Sequence, residues 1–377
     1  MARRGEPEPE RGNIRPRLFL NGKFYAGATN GVHRVADRLI RELDALAALG
    51  ERPAGWDMRL LLPRRRNWAP AFRAITAVPQ RGGHTQAWEQ AVLPLAARTG
   101  ALACFANLGP SLHGRKLTMV HDAQFRLSPE SYPPKLRFGY RLLIPLGGRT
   151  SRRVATVSDY ARDSLATFGI ADRDATVVVH NGADHILETP SDPRVLATHG
   201  LQPGGYALLF GSGARYKNVS VAFEAFAQGA PAGVRLAVIG PTRDALAAAG
   251  LRPPADAVFV GGVNDAALRA LYENALCLLY PSRTEGFGLP PVEAMLCGCP
   301  VVAAPAGAIP EVCRDAVIYA GMDDAGEWAR AVAAIATDPA LREAKIAAGR
   351  ARAAAFTWRA AGIRLCEALA PLVERAE

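Results

Sequence analysis

From residue 17 onward, short apolar runs alternate with longer segments whose apolar positions recur at helical spacing, the pattern of α/β architecture. In the first half the runs fall at residues 18–20, 59–62, 102–105, 117–120, 154–157 and 176–179. Several are apolar throughout, as strands of a parallel sheet covered on both faces must be. Residues 189–204 contain Pro190, Pro193 and Pro203 and read as a linker. The pattern then restarts, with strands predicted at 206–210, 235–239, 257–260, 275–279 and 301–303 and a helix at 219–226. Thr357 predicts the N-cap of a last helix reaching toward Glu374.

These elements predict two doubly wound, Rossmann-like α/β domains in series, facing a central cleft. The boundaries expected are a flexible tail over 1–16, a first domain over 17–188, the linker over 189–204 and a second domain over 205–356. A C-terminal helix over 357–377 is expected to pack back toward the first domain. No period of 20 to 50 residues repeats, which excludes a solenoid.

Composition narrows the function classes. The 377 residues are 49% hydrophobic and 21% charged, as in a globular protein, and no apolar run approaches the ~20 residues that span a bilayer. The charged, Pro/Gly-rich start has no apolar centre and does not read as a secretory signal, so a cytoplasmic, reducing location is expected. The net charge is +10, and it is uneven: residues 1–190 hold 28 Lys+Arg against 17 Asp+Glu, residues 191–377 hold 17 against 18. The excess fits either an acidic partner or arginines on a solvated face. Six scattered cysteines, with Cys297-Gly298-Cys299 the one close pair and no completing His cluster, predict neither a metal site nor a disulfide.

The densest cluster of unusual residues is Glu285-Gly286-Phe287-Gly288-Leu289-Pro290-Pro291-Val292-Glu293, between an apolar strand and a short helix predicted to end at Gly298. Pro291 suits the first turn of that helix, and helix starts at the carboxyl ends of parallel strands bind anions. Gly286 and Gly288 let a ligand approach the backbone. Taken singly, Glu293 reads equally as an offset to the helix dipole and Glu285 as a solvated loop residue. His121 directly follows a strand and reads alone as a structural histidine; the residues 27–32 read alone as an ordinary strand-to-helix turn.

The spacing of Glu285 and Glu293 within this segment resembles the signature of the retaining nucleotide-sugar glycosyltransferases of family 4, which have the two-Rossmann GT-B fold. The likeness continues through Gly298-Cys299-Pro300, Ala306-Gly307-Ala308-Ile309-Pro310-Glu311-Val312, Lys217-Asn218, His121-Asp122, Val157-Ser158, Asn181-Gly182-Ala183-Asp184 and Phe356-Thr357-Trp358. The resemblance implies that Glu293 accepts hydrogen bonds from the ribose hydroxyls and that Glu285 lies beside the transferred sugar. The backbone around Gly286, Phe287, Gly288 and Leu289 would hold sugar or diphosphate, and Lys217 would hold the diphosphate leaving group. Relatives carry a further cation upstream; here the turn reads Gly211-Ser212-Gly213-Ala214-Arg215, so Arg215 is the substitute at hand, and Ser212 joins it among the donor-binding residues. His121 would orient the donor sugar, Asp122 would position it or meet the acceptor, and Gly31 belongs to a loop closing over the reaction centre.

The implied reaction is hexose transfer from a nucleotide-diphosphate sugar to an acceptor hydroxyl with retained configuration, without metal or cofactor. Asn21-Gly22-Lys23-Phe24-Tyr25 and Gly31-Val32-His33-Arg34-Val35 resemble members that build bacterial exopolysaccharide or lipopolysaccharide. This implies mannose from GDP-mannose and a polyprenyl-diphosphate-linked glycan acceptor at the cytosolic membrane face. UDP-, dTDP- and ADP-sugars are alternative donors, and a sugar-nucleotide epimerase or a non-catalytic nucleotide-sugar or glycan-binding protein are alternative classes. Residues 135–153 mix arginines with Phe138, Leu142 and Ile144 and fit an anionic membrane surface, or a buried helix with a wet basic face. No motif supports nucleic-acid binding.

Overall fold

The computed structural model describes residues 15–27, 30–64, 71–229 and 231–374; the tail expected over 1–16 lies outside the described residues except for its last two positions. Seven parallel strands form the first sheet: β1 (Arg17–Asn21), β2 (Asp57–Pro63), β3 (Thr76–Gln80), β4 (Ala101–Cys104), β5 (Lys116–Met119), β6 (Arg153–Thr156) and β7 (Thr176–Val178), in the order β3-β2-β1-β4-β5-β6-β7. The second sheet comprises β8 (Tyr206–Phe210), β9 (Arg235–Ile239), β10 (Val258–Gly261), β11 (Cys277–Tyr280), β12 (Val301–Ala303) and β13 (Ile318–Tyr319), ordered β10-β9-β8-β11-β12-β13.

Both sheets reverse direction of strand order once, between β1 and β4 and between β8 and β11. Ligands of open α/β sheets bind outside the carboxyl ends of the strands at such reversals. The helices of eight or more residues are α1 (Gly31–Ala48), α2 (Pro134–Arg149), α3 (Asp159–Thr167), α4 (Val219–Gly229), α5 (Asp265–Asn274), α6 (Leu289–Leu296), α7 (Ala325–Thr337), α8 (Pro339–Ala353) and α9 (Trp358–Val373). Their starts are chemically marked. The side chains of Asn30, Ser158, Asn264 and Thr357 accept hydrogen bonds from the third residue beyond them, at α1, α3, α5 and α9.

Two strands escape the apolar pattern, and both are edges. β3 is half polar and contains Pro79, which an edge tolerates; β13 is two residues long. The predicted linker contains a helical turn, Arg194–Thr198, because Pro193 fits a helix start and Leu196 and Leu201 are buried in the core.

One apolar core runs from Leu18, Leu20 and Leu39 of the first sheet and α1, through Leu208 and Leu278 of the second sheet, to Leu365 and Leu369 of α9. The last helix lies against α1, where a β-carbon on Gly362 would come within 2.9 Å of that of Glu42. Its entry is fixed by two motifs distant in sequence. Ala183 donates its N–H to the Phe356 carbonyl at 3.0 Å, and Asp184 accepts the Trp358 N–H at 2.8 Å. Gly182 is obligatory there, since a β-carbon would sit 2.1 Å from the Trp358 nitrogen.

Candidate functional site

The loops leaving β8 and β11, the pair at the reversal of the second sheet, carry Lys217 and Glu285. Lys217 ends the single turn Arg215–Lys217, and the chain then passes through Asn218 in the left-handed region (φ 52°). The Arg283 N–H donates to the Tyr216 carbonyl at 2.7 Å and stitches the two loops together, while the Asn218 side chain donates at 2.7 Å to the carbonyl of Met322, beyond β13. Lys217 Nζ lies 2.7 Å from Glu285 Oε1 and 5.2 and 5.7 Å from the ring centres of Tyr216 and Tyr280. Burial alone would push the ammonium down, but Glu285 and the two phenols outweigh it and hold Lys217 above its usual range. A charge fixed in this way suits an anionic ligand.

Gly286 is one of the places where the two domains touch. A β-carbon there would come within 2.5 Å of the His121 carbonyl oxygen and 3.0 Å of the Asp122 β-carbon. The Ser158 hydroxyl, which caps α3, donates to the Gly286 carbonyl at 2.6 Å. Gly288 caps α6 in the left-handed region (φ 90°), with its α-carbon against Ile309, and Phe287 packs edge-on to Phe356 at 5.4 Å. Helix α6 starts at Leu289, so Pro290 and Pro291 occupy its first turn and Glu293 its second; Gly298 follows its end at φ 76°. The first turn's N–H groups have no helical partners whether or not proline occupies it, which is why a two-proline start is stable.

His121 and Asp122 follow β5 and meet this loop from the first domain. His121 is buried, its backbone N–H donates to Asn107 Oδ1 at 2.8 Å, and its Nε2 is 2.8 Å from the Phe105 carbonyl. A carbonyl accepts only, so Nε2 carries the proton. Burial pushes the imidazole down to about 4, the Phe105 bond partly opposes this, and His33 adds to it; the ring is therefore a neutral group with Nδ1 as acceptor. Burial pushes the Asp122 carboxyl up, the Gln124 N–H bond at 2.9 Å opposes this, and Glu285 and Lys217 act in opposite directions on it. His121, Asp122, Lys217, Glu285 and Gly286 are thus brought together.

Glu293 lies deeper. It is buried, with the Tyr272 hydroxyl donating to Oε2 at 3.2 Å and His185 Nε2 at 3.1 Å from Oε1, off the line of a good hydrogen bond. Trp358 Nε1 donates to His185 Nδ1 at 3.0 Å, which leaves the ring proton on the nitrogen facing Glu293. A carboxylate has about four lone-pair sites, so capacity remains for further hydroxyl donors. Ser212 caps its own turn, accepting the Ala214 N–H at 3.2 Å. Arg215 is exposed and faces the first domain: the Ser128 hydroxyl, and at longer range Arg215, hold the Glu130 carboxyl below its usual range. Gly31 opens α1 with free space around its α-carbon; residues 28 and 29 of the predicted closing loop lie outside the described residues. Beside it, a cavity of about 310 Å³ lies between Phe24, Tyr25, His33, Arg34 and Asp37 and, across the cleft, Asp265, with Arg34 and Asp265 paired at 2.7 Å.

The residue that sequence reasoning left without a role is Glu311. From the second domain it accepts the N–H groups of Asp159 and Tyr160 at 2.9 Å each, satisfying the start of α3 in the first. It stood within a recognised motif, but nothing local says which helix it caps. Among the described residues, no group of three or more His, Cys, Asp and Glu side chains is arranged to hold a metal ion. All six cysteines are buried and free, and burial pushes those of Cys277, Cys297, Cys313 and Cys366 up to about 12.

The model of the family "Glycosyl transferases group 1" matches residues 202–352, the segment that carries Lys217, Glu285 and Glu293. O-antigen chain mannosyltransferase B of Escherichia coli is 32% identical over 263 residues, covering 65% of this chain and 67% of its own length. O-antigen chain mannosyltransferase RfbU of Salmonella typhimurium is 27% identical over 230 residues, covering 59% of this chain and 61% of its own. The fold is that of Anabaena HepE, solved in complex with UDP-glucose: TM-score 0.68 at 18% identity, over 94% of this chain and all of that one.

Proposed function

The chain belongs to the glycosyl transferases of group 1 and is a glycosyltransferase of the GT-B fold, and from that premise we propose that it moves a hexose, mannose from GDP-mannose, onto a lipid-linked oligosaccharide with anomeric configuration retained. The observation that carries the reading is the Lys217–Glu285 pair, 2.7 Å apart, set against Gly286 where that loop abuts His121 and Asp122. A fixed cation beside the start of α6 suits a diphosphate leaving group, whose charge grows as the glycosidic bond breaks. Mannose is favoured because the names of both O-antigen relatives specify it.

In this mechanism Glu293 takes the ribose hydroxyls and Lys217, assisted by Arg215 and Ser212, the diphosphate. The amides from Gly286 to Leu289 hold the sugar side of the donor. His121, neutral, accepts a hydrogen bond from a donor hydroxyl through Nδ1, while Glu285 steadies positive charge at the anomeric carbon. The anomeric C–O bond to phosphate breaks as the acceptor oxygen bonds to the same face, and the acceptor proton passes to the departing phosphate oxygen. Neither metal nor cofactor is needed, because the charge is met by Lys217 and backbone N–H groups. The acceptor reaches Asp122 from the first domain, at the cytosolic face of a membrane.

A screen of GDP-, UDP-, dTDP- and ADP-sugars for thermal stabilisation and donor hydrolysis, in excess EDTA, tests this. GDP-mannose is expected to lead. Preference for a UDP-sugar refutes the donor, a strict metal requirement refutes the metal-free mechanism, and silence toward all four refutes the site.

A further inference from the structure

The first sheet reverses its strand order between β1 and β4, as the second does between β8 and β11. Such a reversal is where an open α/β sheet takes its ligand. The second carries Lys217 and Glu285; the first carries a charge network that the mechanism above leaves unused. Asn21 ends β1, and its Nδ2 donates to Glu89 Oε1 at 2.7 Å and lies 3.7 Å from the sulfur of Cys104, which ends β4. Lys23 Nζ donates to Glu89 Oε2 at 2.6 Å, and the Lys23 backbone N–H to Asn21 Oδ1 at 3.1 Å. With its amide turned so that both ends pair, Gln86 accepts from Lys23 Nζ at 2.8 Å and donates to Glu89 Oε2 at 2.9 Å. Glu89 is 2% exposed and stands in a single π-helical turn, Trp88–Val92, a widened geometry that is frequent at functional sites.

The network borders the reaction centre. Phe105, directly after Cys104, holds His121 Nε2 through its carbonyl at 2.8 Å. Gln90, directly after Glu89, pins the loop that follows, donating to the Gly109 carbonyl at 3.1 Å and accepting the Ser111 N–H at 2.9 Å. Burial, then the charges of Asp122 and Glu89, push the Tyr140 phenol up, so both carboxylates act on one ring. Lys23 has three side-chain N–H groups. Glu89 and Gln86 take two, and with 17% of the side chain exposed the third is left, among the described residues, for a group arriving from the cleft. A buried ion pair costs more desolvation than an apolar pair of the same size, so stability does not account for it. Lys217 is reinforced by the amides at the start of α6, but Lys23 is met by Glu89 and two side-chain amides, a neutral set overall. A neutral set with one directional donor suits a sugar hydroxyl and not a phosphate. We propose that the Lys23–Glu89 pair recognises the terminal sugar of the acceptor, Lys23 by donating to one of its hydroxyls and Glu89 as the positioning residue that holds the ammonium. This rests on the functional reading above and assigns acceptor choice to the sugar rather than to its lipid diphosphate.

The purified full chain tests it, given the donor that leads the screen above and the octyl glycosides of mannose, glucose and N-acetylglucosamine, with transfer and donor hydrolysis read in one reaction. Wild type is expected to glycosylate at least one of the three. Lys23→Met/Glu89→Gln removes both charges at similar volume, and the amide introduced at position 89 still accepts from Asn21. It should keep the wild-type thermal midpoint and lower the ratio of transfer to hydrolysis about tenfold, through the acceptor KM and not kcat. Lys23→Arg keeps the ion pair but replaces the compact ammonium by a planar fork, and should raise the same KM in a protein of wild-type stability. A wild-type acceptor KM in both variants overturns the proposal. An equal fall of transfer and hydrolysis makes the pair structural and also overturns it. Donor hydrolysis by the wild type without transfer to any of the glycosides sinks the sugar subsite alone, whereas no turnover of any donor sinks the function and the subsite with it.

Discussion

Lowering the pH from 7 to 5 should remove about 2 kcal/mol of stability through His121 alone. The folded imidazole titrates at about 4, burial being the chief cause, against 6.5 for an unperturbed histidine. The direction follows from proton counts. Between 6.5 and 4 the unfolded chain binds a proton that the folded chain refuses, so the stabilisation is complete above about 6.5 and is lost as pH falls. At pH 5 the unfolded state lies about 1.5 pH units below its own titration point, and each unit is about 1.36 kcal/mol. Thermal midpoints of wild type and His121→Asn at pH 7 and 5 measure the effect, since asparagine can still donate to the Phe105 carbonyl. His113, also pushed down by burial, contributes equally to both proteins and cancels. The wild type should lose a few degrees more than the variant on acidification. An identical loss in the two proteins, or a His121 ring that titrates near 6.5 by NMR, would refute the reasoning.

Two further substitutions probe buried charge. Glu293→Gln keeps the volume but halves the acceptor capacity that the proposed ribose contact would use, so nucleotide affinity by calorimetry should fall about tenfold; unchanged affinity removes its assignment. Lys116 is wholly buried, bonded to Thr150 Oγ1 at 2.8 Å and the His113 carbonyl at 3.3 Å, and burial pushes its ammonium down to about 8. A lysine depressed from 10.5 gains stability as pH rises from about 8 to 10.5, so at neutral pH the charge is a liability. Lys116→Met should raise stability by about 1–3 kcal/mol at pH 7, with the gain fading toward pH 10.5, because Thr150 still donates to the Leu146 carbonyl; a loss at neutral pH in urea titration contradicts this.

How much the chain discloses on its face depends on whether the relevant contact is local. Interior strands such as β4 and β11 are legible because burial on both faces demands unbroken apolar runs; β3 and β13 are not, because an edge relaxes that demand. The Glu285–Glu293 segment is legible because glycine and proline mark a strand-to-helix turn whatever surrounds it. The neighbours of Glu293 are not: Tyr272 comes from α5, His185 from the end of the first domain, and the Trp358 that orients His185 from the last helix. Glu311 is the same case, a cap supplied by one domain to a helix of the other. Over 135–153 the sequence reads as basic and amphipathic, but which of its apolar residues are buried, Ile144 and Pro145, and which are exposed, Phe138 and Leu142, depends on what packs against the helix.

The bond from Ser158 to the Gly286 carbonyl ties the donor loop to the start of α3 in the opposite domain. A shift of the Gly286 peptide in the second domain is therefore transmitted to the start of α3 in the first, where Glu311 of the second domain also takes the Asp159 and Tyr160 N–H groups, so two residues of one domain share a single helix start of the other. Thermodynamic linkage makes such an influence mutual: whatever is bound on one side of the cleft and moves that peptide is expected to alter the affinity of the other side.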